Sequence, residues 1–234
     1  MRDSLRHFLA EFIGTFALVF VGGAAIMHAK DSGGSIGLLE VALAHGLILA
    51  VMVSATMRIS GHFNPAVTIS FLATRRIDGA MAGVYIAAQI TGAILAAYVL
   101  KATFPDALFA ATRGGGQSIS LDVSGGQAFL LEAIATFFLA FVIYGTAVDR
   151  KAPRIGGLAI GFVIAADILA IGPYTGGSMN PARSFGPAVA SGSFEGQLIF
   201  WLAPIIGAVS AALLYEFLFI RRDPEPVDHG ELRA

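Results

Sequence analysis

Two identical triplets in this chain have the residue types and the order expected at the start of a helix, with an asparagine side chain that can donate hydrogen bonds. They are Asn64-Pro65-Ala66 and Asn180-Pro181-Ala182. An asparagine just before a helix accepts hydrogen bonds from the first backbone N–H groups through its side-chain carbonyl. Proline suits the first helical position because its missing N–H costs nothing there, and alanine lets a neighbouring helix approach closely. Each triplet therefore predicts a helix whose asparagine amide remains free to donate.

The two amide groups together could bind one small polar molecule. A water molecule that accepts from both amides has no lone pair left to accept from a neighbouring water, so a chain of proton transfer would be interrupted at that point. Each helix N-terminus also carries about half a positive charge, and two facing N-termini repel cations. The chemistry expected of the triplets is therefore contact with small neutral molecules, without transfer of protons or ions.

Two acidic residues, Glu11 and Glu132, lie deep in apolar segments, where an unpaired charge is costly. They hold equivalent positions in an internal repeat, because residues 10–16 resemble residues 131–137. Equivalent positions favour a structural role, in which each carboxylate accepts hydrogen bonds from backbone N–H groups of a neighbouring loop. The alternative is a proton relay.

Composition indicates a membrane protein. Of the 234 residues, 56% are hydrophobic and 13% are charged, and the mean hydropathy is +0.76. A soluble domain is about 25% charged. The formal net charge is −1 and there is no cysteine, so nucleic acid is not expected as a partner, and disulfides and thiol chemistry are excluded. The chain shows no nucleophile–base pair, phosphate loop or metal cluster, so we expect neither an enzyme nor a cofactor or metal.

Six segments are long and apolar enough, or nearly so, for a membrane helix of about 20 residues: 7–28, 36–57, 79–101, 127–148, 156–173 and 196–220. Two shorter segments, 64–74 and 180–190, follow the triplets. At about 1.5 Å per residue, each reaches about halfway across a hydrocarbon core of about 30 Å. Such half-helices are tolerated where they are buried in protein or line a watery cavity.

The order of these segments predicts an inverted repeat. Repeat 1 spans about residues 7–101 and repeat 2 about residues 127–220. Because each half holds three spans, the second half enters from the opposite side of the membrane, as is common among transport proteins. We therefore predict an all-α membrane protein with six transmembrane helices and two re-entrant half-helices, forming one channel domain over 1–234. The tail, about 222–234, is predicted to be disordered.

The distribution of basic residues predicts the orientation. If the N-terminus is cytoplasmic, eleven lysine and arginine residues lie on that side, and three, Lys30, Lys101 and Arg113, lie on the other. Both termini are therefore predicted in the cytoplasm. We expect a multi-pass integral protein of the plasma membrane, which in a bacterium is the inner membrane.

Residues 60–68 and 176–189, which surround the two triplets, resemble the two signature loops of the major intrinsic protein family, the aquaporins and aquaglyceroporins. The resemblance covers about residues 8–220. Residues 172–192 are most similar to plant tonoplast intrinsic proteins of the type that passes water and ammonia. The resemblance implies a pore in each subunit and a homotetramer in membrane lipid, with water and small neutral solutes as partners.

The resemblance also implies a selectivity filter on the outer side of the triplets. Its four positions carry over to His45, Ile168, Gly177 and Arg183. The assignment of His45 assumes that the turn at 60–62 is one residue shorter than is usual in the family, and otherwise the position is Ala44. We expect Arg183 and His45 to donate hydrogen bonds to a small polar solute and to exclude cations.

This set of four is like that of the type-two tonoplast proteins, so water and neutral ammonia are expected to pass, with urea and hydrogen peroxide as further candidates. Two features depart from those relatives. They carry a histidine in the loop after the third span, and no histidine occurs between Lys101 and Gln127. Asp167 stands before Ile168, where the relatives have asparagine. Asp167 either makes a structural contact or faces the pore and attracts cations.

Three other functions compete with this interpretation. A glycerol or urea facilitator of the same family usually has an aromatic pair in the filter and Asp after the arginine, and Gly177 and Ser184 argue against it. A proton-coupled transporter would use Glu11, Glu132 or Asp167 as carriers. A structural junction protein would not need both triplets intact.

Overall fold

Six long apolar helices and two half-length helices account for most of the chain. The computed structural model describes residues 2–151, 153 and 155–220. Its α-helices are α1 (Arg2–Asp31), α2 (Leu38–Thr56), α3 (Pro65–Ala73), α4 (Gly79–Thr103), α5 (Asp106–Thr112), α6 (Gly125–Ile143), α7 (Gly156–Thr175), α8 (Pro181–Ser191) and α9 (Gln197–Leu218). A 3-10 turn, Arg113–Gly115, follows α5, and a π-helix, Tyr144–Val148, continues α6.

The predicted fold class is confirmed. Helices α1, α2, α4, α6, α7 and α9 are each long and apolar enough to cross a membrane, and the short helices α3 and α8 begin directly after the two asparagines. The part of the chain that the structure describes contains no β-strand. The predicted disordered tail, 222–234, lies outside the described residues.

Side-chain caps explain where several helices begin. Helix α4 starts after Asp78, whose carboxylate accepts from the backbone N–H of Met81 at 2.9 Å. Helix α6 starts with a capping box: the hydroxyl of Ser124 accepts from the N–H of Gln127 at 3.3 Å, and the side chain of Gln127 accepts from the N–H of Ser124 at 2.8 Å. These caps satisfy N–H groups that have no partner within a helix.

The helices pack in a pattern that repeats between the two halves. Helix α1 packs against α4 and α6 against α9, while α2 crosses α7 in the middle. At the crossing, a methyl group added to Gly46 would overlap the carbonyl oxygen of Gly161, and one added to Gly161 would overlap that of Gly46. Because α2 belongs to the first half and α7 to the second, the two halves contact each other through equivalent glycines, as expected for an inverted repeat.

A loop that contains two glycines with positive φ covers one end of the bundle. Gly114 and Gly115, which follow α5, have φ values of 63° and 81°, a region that favours glycine. A methyl group on Gly115 would overlap the Cα of Gly23 in α1. The loop can therefore approach α1 closely, and it directs the next residues, 116–120, over the ends of α2 and α7.

Candidate functional site

The two half-helices meet through their asparagine caps. The side-chain carbonyl of Asn64 accepts from the N–H of Ala66 at 2.9 Å. That of Asn180 accepts from Ala182 at 3.0 Å and from Arg183 at 3.2 Å. Ala66 and Ala182 are fully buried, which lets the helix starts lie against each other. Both asparagines are thus held in fixed orientations at the contact.

Each asparagine amide also donates across to the opposite loop. The Nδ2 of Asn64 donates to the carbonyl oxygen of Met179 at 2.7 Å, and the Nδ2 of Asn180 donates to that of Phe63 at 2.8 Å. The expectation that the whole amide group is free is therefore wrong. One N–H hydrogen of each amide joins the two loops, because the carbonyl before each asparagine faces the other loop, and one hydrogen remains available.

The backbone before each asparagine has an uncommon conformation. Phe63 and Met179 have φ values of 50° and 51°, which few residues other than glycine adopt. Both side chains are fully buried. This turn directs the carbonyl oxygens of Phe63 and Met179 toward the opposite asparagine, so the strained backbone serves the paired bonds between the loops.

Glu11 holds the first loop from α1. Its carboxylate accepts from the N–H of His62 at 2.8 Å, from that of Phe63 at 2.7 Å and from the side-chain amide of Gln89 at 2.6 Å. The hydroxyl of Ser60 donates to the same carboxylate. With four donors, the buried carboxylate is compensated, and the loop that precedes Asn64 is fixed to α1 and α4.

Glu132 holds the second loop from α6 in the same way. It accepts from the hydroxyl of Thr175 at 2.7 Å, from the N–H of Ser178 at 2.8 Å and from that of Met179 at 2.7 Å. The side chain is fully buried. Each re-entrant loop therefore depends on one carboxylate from the first long helix of its own half, α1 or α6.

His45 and Arg183 lie in contact. The Nη2 of Arg183 is 2.8 Å from the Nε2 of His45, and the Nδ1 of His45 is 2.8 Å from the carbonyl oxygen of Val41. A guanidinium can only donate and a carbonyl can only accept, so the ring is neutral with its hydrogen on Nδ1. The expectation that His45 donates to a solute is therefore wrong, because both ring nitrogens are already engaged.

Arg183 retains donors of its own. Its side chain is buried, and its Nε and Nη1 atoms have no hydrogen-bond partner among the described residues. His45, from α2, is buried beside it, whereas Ala44 is partly exposed. Of the two candidates on α2, His45 is thus the one that contacts the arginine.

Ile168 and Gly177 form the second pair of the predicted filter. Gly177 has a φ of 57°, and a methyl group added there would lie 3.2 Å from the Cγ1 of Ile168. Glycine therefore keeps the loop close to α7 without filling the space in front of it. No hydrogen bond within the described residues joins this pair to His45 and Arg183.

Two cavities are positioned near the paired loops. The outer cavity, of about 560 Å³, is lined by Val41, Gln117, Ile168 and Gly176 among others. The inner cavity, of about 200 Å³, is lined by residues that include His62, Val67, Phe71 and Tyr85. Since Val67 lies one turn after Asn64 and Gly176 lies shortly before Asn180, the asparagine pair separates the two cavities.

Sequence reasoning missed Gln117. Its side chain is 6% exposed, it lines the outer cavity, and neither its Oε1 nor its Nε2 has a hydrogen-bond partner among the described residues. It lies against Gly176, where a methyl group would come within 3.0 Å of its Cγ. The run Gly114-Gly115-Gly116 just before it was the available signal, because three glycines allow a loop to enter a narrow space.

Gly22 was also missed. A methyl group added at this position in α1 would overlap the Nε2 of His45. The absence of a side chain on α1 therefore makes room for the His45 ring. Gly22 and Gly23 stand side by side in an apolar helix, and adjacent glycines in such a helix indicate close contact with another element.

Asp167 is the one predicted residue whose surroundings give it no clear role. It is 7% exposed, and its Oδ2 has no hydrogen-bond partner among the described residues. On α7 it is turned about 100° away from Ile168. Ile160 and Ile171, seven residues before it and four after it, share its side of the helix.

The comparisons with known proteins agree with this architecture. A model of the major intrinsic protein family matches residues 1–215. The chain is 42% identical to aquaporin TIP4-4 of Zea mays, over 96% of this chain and 92% of that protein. It is 41% identical to nodulin-26 of Glycine max, over 92% and 78%. The solved aquaglyceroporin from Plasmodium falciparum superposes with a TM-score of 0.82 at 26% identity, over 92% and 96%.

These relatives decide several of the sequence predictions. They are membrane channels without enzymatic activity, so the chain is an integral multi-pass protein and not an enzyme. The relatives just named from curated proteins are from plants, and they give no support to the prediction of a plasma or bacterial inner membrane. With the family model covering most of its length and plant aquaporins matching nearly all of it, the chain belongs to the major intrinsic protein family.

Proposed function

We propose that this channel passes water and neutral ammonia and excludes protons and ions. Passive movement of water and small solutes is the activity of the family to which the chain belongs. The observation that carries the finer proposal is the meeting of the two half-helices through reciprocal bonds of Asn64 and Asn180. Six residues form this contact: Asn64, Pro65, Ala66, Asn180, Pro181 and Ala182.

The geometry at this contact supports the proposed exclusion of protons. Each amide has two N–H hydrogens, and one is used on the opposite loop. The remaining hydrogens of Asn64 and Asn180 are available to one water oxygen, which then has no lone pair left to accept a proton from its neighbour. The helices also direct their positive ends here, with about half a unit charge each, and this opposes hydronium and other cations.

Selection of the solute is assigned to the outer side. The residues are His45, Ile168, Gly177 and Arg183. Arg183 has two nitrogens without a protein partner, so it can donate to a lone pair of water or ammonia. Its positive charge repels ammonium and metal cations. His45 holds the guanidinium in place. Ile168 adds an apolar side chain to the filter, and Gly177 leaves space because it has no side chain.

Gln117 extends this selection into the outer cavity. Its carbonyl oxygen and amide nitrogen are both without protein partners. Ammonia has three N–H hydrogens and one lone pair, so it can donate to the Oε1 of Gln117 and accept from Arg183 as it moves inward. Gln117 thus gives the loop after α5 a polar side chain in the cavity, although that loop has no histidine.

A glycerol or urea facilitator is the second candidate. The superposition on an aquaglyceroporin favours it at the level of the fold. Ser184 and Gly177 argue against it. Ser184 stands where those relatives have Asp, and its hydroxyl donates to the carbonyl of Pro181 at 3.0 Å. Gly177 contributes no aromatic side chain to the filter. A proton-coupled transporter is opposed by the donors that surround Glu11 and Glu132, since a carrier must exchange its proton with water.

We also propose a homotetramer with both termini in the cytoplasm. The outer surfaces of α2 and α7 carry exposed apolar side chains at Leu43, Leu47, Leu158 and Phe162, which either lipid or another subunit can cover. The eleven basic residues on the side of the termini, against three on the other, support the orientation. The mass of the purified protein–detergent complex tests the tetramer.

Transport in proteoliposomes tests the solute range. Stopped-flow light scattering measures water entry, and a trapped pH indicator measures ammonia entry from ammonium salts. We expect the protein to accelerate both above empty vesicles, with no added proton leak under an imposed membrane potential. Arg183→Val should admit more cations, while Lys30→Val, which removes an exposed outer charge at the end of α1, should not. Water flux without ammonia flux would contradict the ammonia part alone.

A further inference from the structure

A third cavity, whose lining is basic, lies away from the pore at the end of α3. It measures about 590 Å³ and opens between the start of α1, the end of α3 and the start of α4. Its polar lining comes from His7, Arg75, Arg76 and Asp78, and Leu72 and Met81 contribute apolar surface. Two guanidinium groups and an imidazole thus face one carboxylate, and that carboxylate is already engaged as the cap of α4.

The two arginines of this cavity differ in their commitments. Arg76 donates to Glu216 at 3.0 and 2.7 Å, and its guanidinium lies 5.8 Å from the ring centre of Tyr144. The side chain of Arg75 makes no hydrogen bond or ion pair with any residue that the structure describes. Arg75 therefore brings an uncompensated fork of N–H donors to the cavity, a geometry that matches phosphate oxygens.

The backbone of Arg75 points to a use for this side chain. Its φ is 60°, and its N–H donates to the carbonyl of Leu72 at the end of α3. This is the position after a helix where glycine is usually found, because other residues pay a steric cost there. The strained backbone of Arg75 lowers local stability, and binding of a ligand to its side chain can offset that loss.

The cavity lies at the level of the membrane surface. Helix α3 is a half-helix that ends here, and α4 is a spanning helix that starts here. The predicted orientation places this end at the cytoplasmic leaflet, where anionic lipids accumulate and where basic pockets between helices bind their headgroups. Leu72 is 39% exposed, which gives an acyl chain an apolar surface beside the charged one.

We propose that this cavity binds the phosphate of an anionic phospholipid, with Arg75 as the main ligand. The site is connected to the pore through Tyr85, which lines both this cavity and the inner cavity. The Tyr85 ring lies 5.7 Å from the ring of His7 and 5.0 Å from that of His62. A headgroup against His7 and Arg75 therefore restrains Tyr85, and with it one wall of the inner mouth.

Lipid titration of the purified full chain tests the site. Dihexanoyl phosphatidylglycerol is added in detergent, with dihexanoyl phosphatidylcholine, inorganic phosphate and glycerol 3-phosphate as comparisons, and the melting temperature is followed by tryptophan fluorescence. We expect only phosphatidylglycerol to raise it. Arg75→Gln should weaken the apparent affinity about tenfold, as expected for loss of one charge-assisted pair. Arg58→Gln removes the same charge from an exposed position that does not line this cavity, and it should leave the affinity unchanged.

A second variant separates binding from folding. Arg75→Gly removes the donor but suits the left-handed backbone, so without lipid it should melt at the same or a higher temperature and yet bind phosphatidylglycerol at least as weakly as Arg75→Gln. Equal losses in Arg75→Gln and Arg58→Gln, or an equal response to phosphatidylcholine, would overturn the site. A response to inorganic phosphate as strong as that to the lipid would assign the cavity to free anions instead.

Discussion

At the scale of single residues, the proposed filter depends on the charged side chain of Arg183, which neighbouring residues hold in position without neutralising its charge. Arg183 is fixed by His45, and His45 is fixed by the carbonyl of Val41. Both partners are uncharged, so neither contact neutralises the guanidinium, and two of its nitrogens have no partner among the described residues. The position of His45 in turn depends on Gly22, which leaves it space.

Gly22→Ala tests this arrangement. The added methyl group overlaps the Nε2 of His45, so the ring must move and its bond to Arg183 is lost. We expect a loss of stability of about 1–3 kcal/mol, as for overpacked sites, with an altered ratio of water to ammonia permeability. Gly83→Ala on α4 is the matched control, because nothing lies within 4 Å of that position. Equal behaviour of the two variants would contradict the role of Gly22.

Gln117→Leu tests the polar side chain of the outer cavity. The substitution removes a buried amide without hydrogen-bond partners and keeps the size, so the protein should unfold at the same or a higher temperature. Ammonia flux should nevertheless fall several-fold, with a smaller effect on water, because the donor and acceptor in the cavity are lost. Leu121→Ala, at an exposed position of the same loop, should change neither flux. A stable variant with full ammonia flux would remove Gln117 from the pathway.

At the scale of elements, each re-entrant loop is a part that a neighbouring long helix holds in place. Glu11 of α1 binds the first loop and Glu132 of α6 binds the second. The half-helices have no spanning length of their own, so their position is set by these contacts and by the bonds between the loops. The repeated pattern explains why two carboxylates persist in the most apolar part of the chain.

Glu132→Gln should loosen the second loop. A carboxamide offers one acceptor oxygen where three donors converge, so at least one buried N–H loses its partner at a cost of about 1–3 kcal/mol. We expect a lower melting temperature and reduced water permeability together. Glu216→Gln breaks a partly exposed pair with Arg76 and should cost about 0–1 kcal/mol. If both variants melt alike, the loop does not depend on Glu132 as argued.

Much of the element scale was predictable from the order of residues. The six spans follow from apolar length, and the starts of α3 and α8 follow from the two Asn-Pro pairs, because both signals are local. The bonds between Asn64 and Met179, and between Asn180 and Phe63, were not predictable, since they depend on how two distant turns face each other. The same holds for Gln117, whose burial is decided by a loop path that periodicity does not report.

At the scale of the whole molecule, two halves with the same order of helices form a pore whose two ends differ in cavity volume and in charge. The outer cavity is larger, about 560 Å³ against about 200 Å³ for the inner one. The repeat position of Arg183 is occupied by Val67 in the first half, so the proposed filter has a charged side chain on the outer side and no counterpart at the equivalent inner position. The asymmetry allows selection at one end and a separate influence of lipid at the other.

The absence of cysteine gives a prediction for the intact channel. Mercuric ion should leave water permeability unchanged, because it acts on proteins mainly through thiols. Gln117→Cys places a thiol in the outer cavity and should make the channel sensitive, with recovery after added reducing agent. Strong inhibition of the unaltered protein by mercuric ion would mean that it blocks by another route.

The exchanged bonds of Asn64 and Asn180 also constrain how the chain is made. Until residues 179 and 180 have left the ribosome, the amide of Asn64 and the carbonyl of Phe63 have no partners for the bonds that they make in the finished channel. The first half-helix must therefore wait in the membrane while more than a hundred residues are synthesised. Neither half can complete its own loop, so the two halves expressed as separate fragments should regain function only together.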